Sequence, residues 1–158
     1  MKLLILILTI IIIIIYVYCY YIFPTEISIL QTDLSNFNFN LLSSRQPIVI
    51  SDFIQNPLEV INSWFNYNII NSNNENENND WIHNNYKYLF INAYKDTEVI
   101  IYKAEITKIN PKAEDNIIII KLQKNQSLIL PFKWKYYSTN ITKWGIDDLI
   151  TFSFGRVF

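Results

Sequence analysis

Cysteine occurs once in the 158 residues, at Cys19, and histidine once, at His83. One cysteine excludes an internal disulfide framework and any cysteine-built zinc site. One histidine excludes every site that needs two imidazoles. Glycine occurs only at Gly145 and Gly155, so no glycine-rich loop is available to cradle a phosphate. Charge is scarce too: 17% of residues are charged, 13 basic against 14 acidic, for a net charge of −1. That balance supplies no basic face, and nucleic acid is excluded as a partner. At 18.8 kDa the chain holds one domain of ordinary size.

One long uncharged run stands against these absences. From Leu3 to Phe23 there are 21 residues without a charge, LLILILTIIIIIIYVYCYYIF. As a helix rising about 1.5 Å per residue, such a run spans the roughly 30 Å hydrocarbon core of a bilayer. Isoleucine is a poor helix former in water, but in lipid the backbone must satisfy its own hydrogen bonds and helix wins. Tyr16, Tyr18, Tyr20 and Tyr21 crowd the C-terminal end, where amphipathic rings favour the interface, and Pro24 stops the helix. The run exceeds the apolar core of a cleaved signal peptide and no small-residue cleavage site follows, so residues 1–24 read as an uncleaved single-pass anchor. Cys19 reads as an apolar residue near the bilayer edge. Lys2 precedes the run, while Glu26 and Asp33 come before the next cation, Arg45. The positive-inside rule then puts the N-terminus in the cytosol and the domain outside or in a lumen. Two N-glycosylation acceptors, Asn125-Gln126-Ser127 and Asn140-Ile141-Thr142, suit that side, although an Asn-rich chain makes such matches by chance.

Residues 25–44 show no clean period and read as a stalk or an edge strand at Glu26–Leu30. Pro47–Ile50 is a β-branched strand. Asn56-Pro57 with Glu59 is a helix start, and Leu58, Ile61, Trp64 and Phe65 share one face, so Pro57–Asn66 is a short amphipathic helix. Asn71–Asp80 (NSNNENENND) is polar, low in complexity and reads as a loop. Further strands are expected at Tyr86–Ala93, Glu98–Thr107, Asn116–Leu122, Ser127–Leu130, Phe132–Tyr137 and Leu149–Phe154. The turns between them fall at Lys95-Asp96, Asn110-Pro111-Lys112, Lys124-Asn125, Ser138-Thr139-Asn140 and Gly145. With glycine so scarce, asparagine takes the left-handed turn positions. Along Phe132–Tyr137, Phe132, Trp134 and Tyr136 alternate with Lys133, Lys135 and Tyr137, one aromatic face inward and one cationic face outward. Many short strands and no long helix predict an antiparallel sandwich or barrel.

Two segments resemble a known family. Arg45-Gln46-Pro47-Ile48-Val49-Ile50-Ser51-Asp52-Phe53-Ile54 is similar to the Pro-led opening strand of cupin-like, JmjC-type jelly rolls. Lys121–Tyr136 (KLQKNQSLILPFKWKY) resembles that family's late hairpin: a turn, an apolar strand, Pro131, Trp134, then a position often filled by histidine. The resemblance implies a mainly β, double-stranded β-helix fold over residues 45–158, with a polar loop at 71–80. Short membrane-anchored versions resemble proteins of large DNA viruses. The abundance of Ile, Asn and Lys, as AT-rich codons produce, suits such a source and a viral or host internal membrane.

The family's enzymes hold Fe(II) through a His-x-Asp/Glu pair and a distant His. Here the late histidine position is Tyr136, and His83 is followed two residues on by Asn85, which carries no anionic oxygen. The resemblance therefore implies the fold and argues against the activity. His83 beside the polar loop reads as a surface residue, since a metal site needs several ligands. Asp147-Asp148 could pair as carboxylates for acid–base work, but adjacent residues point to opposite faces on a strand and are usually both solvated on a turn, so the pair reads as structural. Lys133 and Lys135 read as guards on an edge strand. Trp134 and Tyr136 could line a small-ligand barrel, but such rings are more often core. No residue is assigned a catalytic, cofactor-binding or metal-ligating role. The expectation is a non-catalytic, membrane-anchored structural or interaction protein, with the membrane as its partner and any protein partner left open, against the alternative of a degenerate or atypical Fe(II)/2-oxoglutarate-type enzyme.

Overall fold

The computed structural model describes residues 2–21, 26–72, 81–103 and 117–154. Helix α1 covers Lys2–Tyr21, and its side chains are described through Ile15, all of them exposed. Among the described residues no helix is long and apolar enough to cross a membrane. The rest alternates short strands with three short helices. Strand β1 (Leu30–Thr32), α2 (Phe39–Ser43), β2 (Ile48–Ile50) and α3 (Pro57–Trp64) come first. They lead into β3 (Ile69–Ser72), β4 (Ile82–His83), β5 (Tyr88–Ala93), β6 (Thr97–Lys103), β7 (Ile117–Leu122), β8 (Ser127–Pro131), β9 (Trp134–Tyr137), β10 (Ile141–Asp147) and α4 (Leu149–Phe154).

The pairing is nested. β6 pairs with β7, β5 with β8, β4 with β9 and β3 with β10, all antiparallel, as the two arms of one long hairpin would. Two further antiparallel pairings, β5 with β10 and β6 with β9, roll that hairpin up. β1 and β2 then extend one sheet past β8, giving six strands in the order β1-β2-β8-β5-β10-β3 over four in the order β4-β9-β6-β7. The β1–β2 pair is parallel, so the sheets are antiparallel-rich and not wholly antiparallel.

Two cores follow. Between the sheets lie Leu89, Ile91, Val99, Ile101, Leu128, Leu130, Trp134 and Tyr136. On the far face of the six-stranded sheet, Ile48, Ile50, Phe90, Ile129 and Ile146 pack against Leu42, Ile61 and Phe65 from the α2 and α3 segments. β8 is buried at every position and β5 at all but its first, because both of their faces are covered. Residues 26–44 accordingly belong to the packed domain. The edge strand sits at Leu30–Thr32, and α2 adds a helix that no sequence period announced. Gln46 ties the incoming chain down: its Nε2 donates to Glu26 O at 2.7 Å and its Oε1 accepts from Ser28 N at 3.1 Å.

Several expectations need correction. Leu149–Phe154 is a helix, not a strand, because Asp148 caps it: Oδ1 accepts from Thr151 N at 2.7 Å and its carbonyl from Phe152 N at 2.9 Å. Gly145 is not a turn. It lies inside β10, which the sequence reading missed, and a Cβ there would collide with the Tyr86 ring. The short strands β3 and β4 were also missed. Asn71 and Ser72 belong to β3, whereas 73–80 of the expected loop lie outside the described residues, as do Pro24, the 110–112 turn and 104–107 of the expected strand. Asn125 and Asn140 do take left-handed backbones, but so do Arg45 and Lys133.

Candidate functional site

His83 is the starting point, being the one imidazole of the chain. It sits in β4, an edge strand of the smaller sheet, paired with β9 in the register Ile82↔Tyr136 and His83↔Lys135. Cross-strand partners share a face and successive residues alternate. His83 therefore lies with Lys135 on the outer face, while Tyr136 lies with Ile82 on the inner face, 2% exposed in the inter-sheet core. Trp81 joins the outer face, its ring 6.3 Å from that of Tyr137. The alternation expected for β9 is present: Trp134 and Tyr136 are buried and Lys135 and Tyr137 only half-buried, with Lys133 in the turn before the strand.

His83 Nδ1 lies 2.8 Å from Asn85 Oδ1. An amide oxygen only accepts, so Nδ1 carries the proton. Desolvation pushes the imidazole pKa down, and the Lys133 and Lys135 charges push the same way, outweighing the opposing Asn85 hydrogen bond. A neutral imidazole results. Lys133 is likewise lowered by burial.

Between His83 and Asn85, Asn84 is 1% exposed and does the structural work of the segment. Its Nδ2 donates to Leu130 O at 3.0 Å and to Pro131 O at 2.8 Å, and its Oδ1 accepts from Tyr86 N at 2.9 Å. Its backbone N–H reaches Trp134 O at 2.8 Å, and its carbonyl accepts from Lys133 N at 2.9 Å. Asn84 thus clips the β8–β9 turn to the end of β4. In sequence it was one asparagine among many, with nothing to single it out.

An Fe(II) site of the implied kind does not fit these residues. Tyr136 and His83 project from opposite faces of the β4–β9 pair, and Asn85 Oδ1 is engaged by the imidazole itself. Among the described residues no three His, Cys, Asp or Glu side chains gather around a common point. The Asp147-Asp148 pair also resolves into structure. Asp147, 1% exposed and so not solvated, accepts from Lys87 N at 2.9 Å. Asp148 pairs with Lys87 Nζ at 2.7 Å besides capping α4. A groove of about 330 Å³ opens at the opposite edge of the smaller sheet, between β7 and the β1–β2 extension, lined mainly by Ile29, Val49 and Ile118–Ile120. Among the described residues that line it, Lys121 is the only charged group.

The two acceptor asparagines, Asn125 and Asn140, are alike half-buried. The sequons differ at their third residue: Ser127 is fully buried, its Oγ accepting from Asn92 Nδ2 at 2.9 Å, whereas Thr142 is half-buried in β10. Compared with protein-family models, curated proteins and solved structures, the chain matches none.

Proposed function

We propose that this chain is a single-pass, membrane-anchored, non-catalytic protein whose cupin-like jelly roll serves as a rigid structural or interaction surface, the N-terminus cytosolic and the domain outside or in a lumen. The observation that carries the reading is the uncharged run Leu3–Phe23. Its helical part, α1, carries apolar side chains all round from Leu3 to Ile15, every large one at least 47% exposed. A helix that is hydrophobic on every side is covered by a large core or by lipid. Thr9, the one polar side chain of that stretch, donates Oγ1 to Ile5 O at 2.9 Å and so satisfies itself within the helix.

The nested pairing of β3–β10 supports the jelly-roll reading, since a long hairpin rolled into two facing sheets is how that architecture arises. The split of His83 and Tyr136 across the β4–β9 pair supports the non-catalytic reading. Metal analysis and 2-oxoglutarate turnover of the purified, detergent-solubilised full chain test it. The expected result is no stoichiometric iron and no decarboxylation with iron and ascorbate present. Iron bound in stoichiometric amount and lost on His83→Ala would restore the enzymatic alternative.

A further inference from the structure

All strands of the larger sheet can be assigned ends. β1 and β2 begin where β8 and β10 finish and where β3 and β5 begin, because Leu30 pairs with Ile48, Ile48 with Ile129, Tyr88 with Pro131, Ile146 with Tyr88, and Ile69 with Asp147. The chain enters the domain at this same end, with Leu30 N donating to Pro47 O at 2.9 Å. Only four residues separate Tyr21, the last of α1, from Glu26. With consecutive Cα atoms about 3.8 Å apart, the end of the helix lies within roughly 19 Å of Glu26.

Several large apolar side chains at that end are exposed. Tyr67 is 96% exposed and Leu149 76%, with Phe152 beside Leu149 on the outward face of α4 while Thr151 turns inward. The Ile69↔Asp147 pairing, and Asn68 Nδ2 donating to Asp147 O at 3.1 Å, bring Tyr67 and α4 together. Ile29 and Phe39 extend the apolar rim, the Phe39 ring 5.9 Å from that of Phe65. The opposite end carries polar turns, with Asp33, Asp52, Asp96 and Lys124 among them, beside the exposed rings of Phe53 and Tyr94.

We propose that the anchor-side end of the domain docks on the bilayer itself, with Tyr67, Leu149 and Phe152 in the headgroup region. The proposal rests on the single-pass reading above. Tyrosine and phenylalanine partition into the interface, where apolar rings and polar tips are both satisfied. The short tether holds this end near the surface, so little translational freedom remains to be lost on docking. Arg45, Lys87 and Lys133 at the same end are offset by Glu26, Asp147 and Asp148, the last pairing with Lys87 at 2.7 Å. Apolar insertion, not charge, is the driving term, and a zwitterionic bilayer suffices.

The test uses the full chain with Cys19→Ser, reconstituted in phosphatidylcholine vesicles, and a fluorophore attached through Leu149→Cys or, at the opposite end, Tyr94→Cys. Iodide is added on the domain side, and a shallow nitroxide-labelled lipid is included in parallel vesicles. The expected result is iodide quenching several-fold weaker at 149 than at 94, nitroxide quenching at 149 alone, and recovery of iodide access at 149 when Tyr67→Asp is added. Equal iodide quenching at both positions, in a chain that carbonate does not extract, would overturn the docking while leaving the anchor in place. Shielding at 149 without nitroxide quenching would mean a protein covers this face, a second copy included, and would also overturn it. Release of the chain by carbonate would remove the anchor, and the docking with it.

Discussion

His83 and Tyr136 stand one register step apart on the paired strands β4 and β9, yet they project from opposite faces of that pair. The imidazole lies on the outer face with Lys135, and the phenol lies in the inter-sheet core with Ile82. That one step of alternation separates the two side chains that the jelly-roll resemblance would pair around a metal.

The outer position has a titration consequence. Burial and the two lysine charges hold the His83 pKa below the ordinary imidazole value of about 6.5. The unfolded chain therefore takes up the proton more readily, and stability falls as pH drops below about 6.5. His83→Gln should flatten that part of the pH–stability curve, leaving the carboxylate-dependent loss at lower pH. Because the chain has one histidine, its ring resonance gives the midpoint directly in an NMR titration. A midpoint above the ordinary value would contradict the account.

Asn84→Ala should be far more damaging than His83→Ala. It leaves the Leu130 and Pro131 carbonyls and the Tyr86 N–H without their side-chain partner in a buried site. About 2–4 kcal/mol is expected, since each stranded buried group costs about 1–3 kcal/mol and the site relaxes in part. Urea unfolding of the two variants side by side measures it. Equal losses would mean that the clip at the β8–β9 turn is unimportant.

Gly145→Ala should cost about 1–3 kcal/mol by overpacking, because the added methyl meets the Cγ–Cδ1–Cε1 edge of the Tyr86 ring. Combining it with Tyr86→Ala should give a loss smaller than the sum of the two single losses, which a double-mutant cycle reads. Simple additivity would place the ring elsewhere.

Trp134→Ala should cost roughly 3–5 kcal/mol, the range for a large ring removed from a core. The ring is fully buried in the inter-sheet core. A loss below about 1 kcal/mol would put it at the surface.

The sequence announced these features unevenly, for physical reasons. Runs with strong local signals, such as Pro47–Ile50, Pro57–Asn66 and Ser127–Leu130, fall within two residues of β2, α3 and β8 at either end. The inward face of β9 was legible from the alternation of Trp134 and Tyr136 with lysine and tyrosine. Features set by distant partners were not. Gly145 reads locally as a turn, and only the Tyr86 ring packed on it explains a glycine inside β10. Leu149–Phe154 has the β-branched and aromatic content of a strand, but one capping carboxylate, Asp148, makes it a helix. At the candidate site, the His83-x-Asn85 spacing was visible and the face it occupies was not, because β4 is two residues long and its register is fixed by β9.

The central claim is the membrane anchor, and sodium carbonate extraction of membranes carrying the full-length chain tests it most directly, paired with N-terminal sequencing of the product. The uncharged run Leu3–Phe23 predicts that the chain stays in the membrane pellet with that run still attached. Release of the intact chain into the supernatant, or a mature N-terminus beginning near Pro24, would contradict the account.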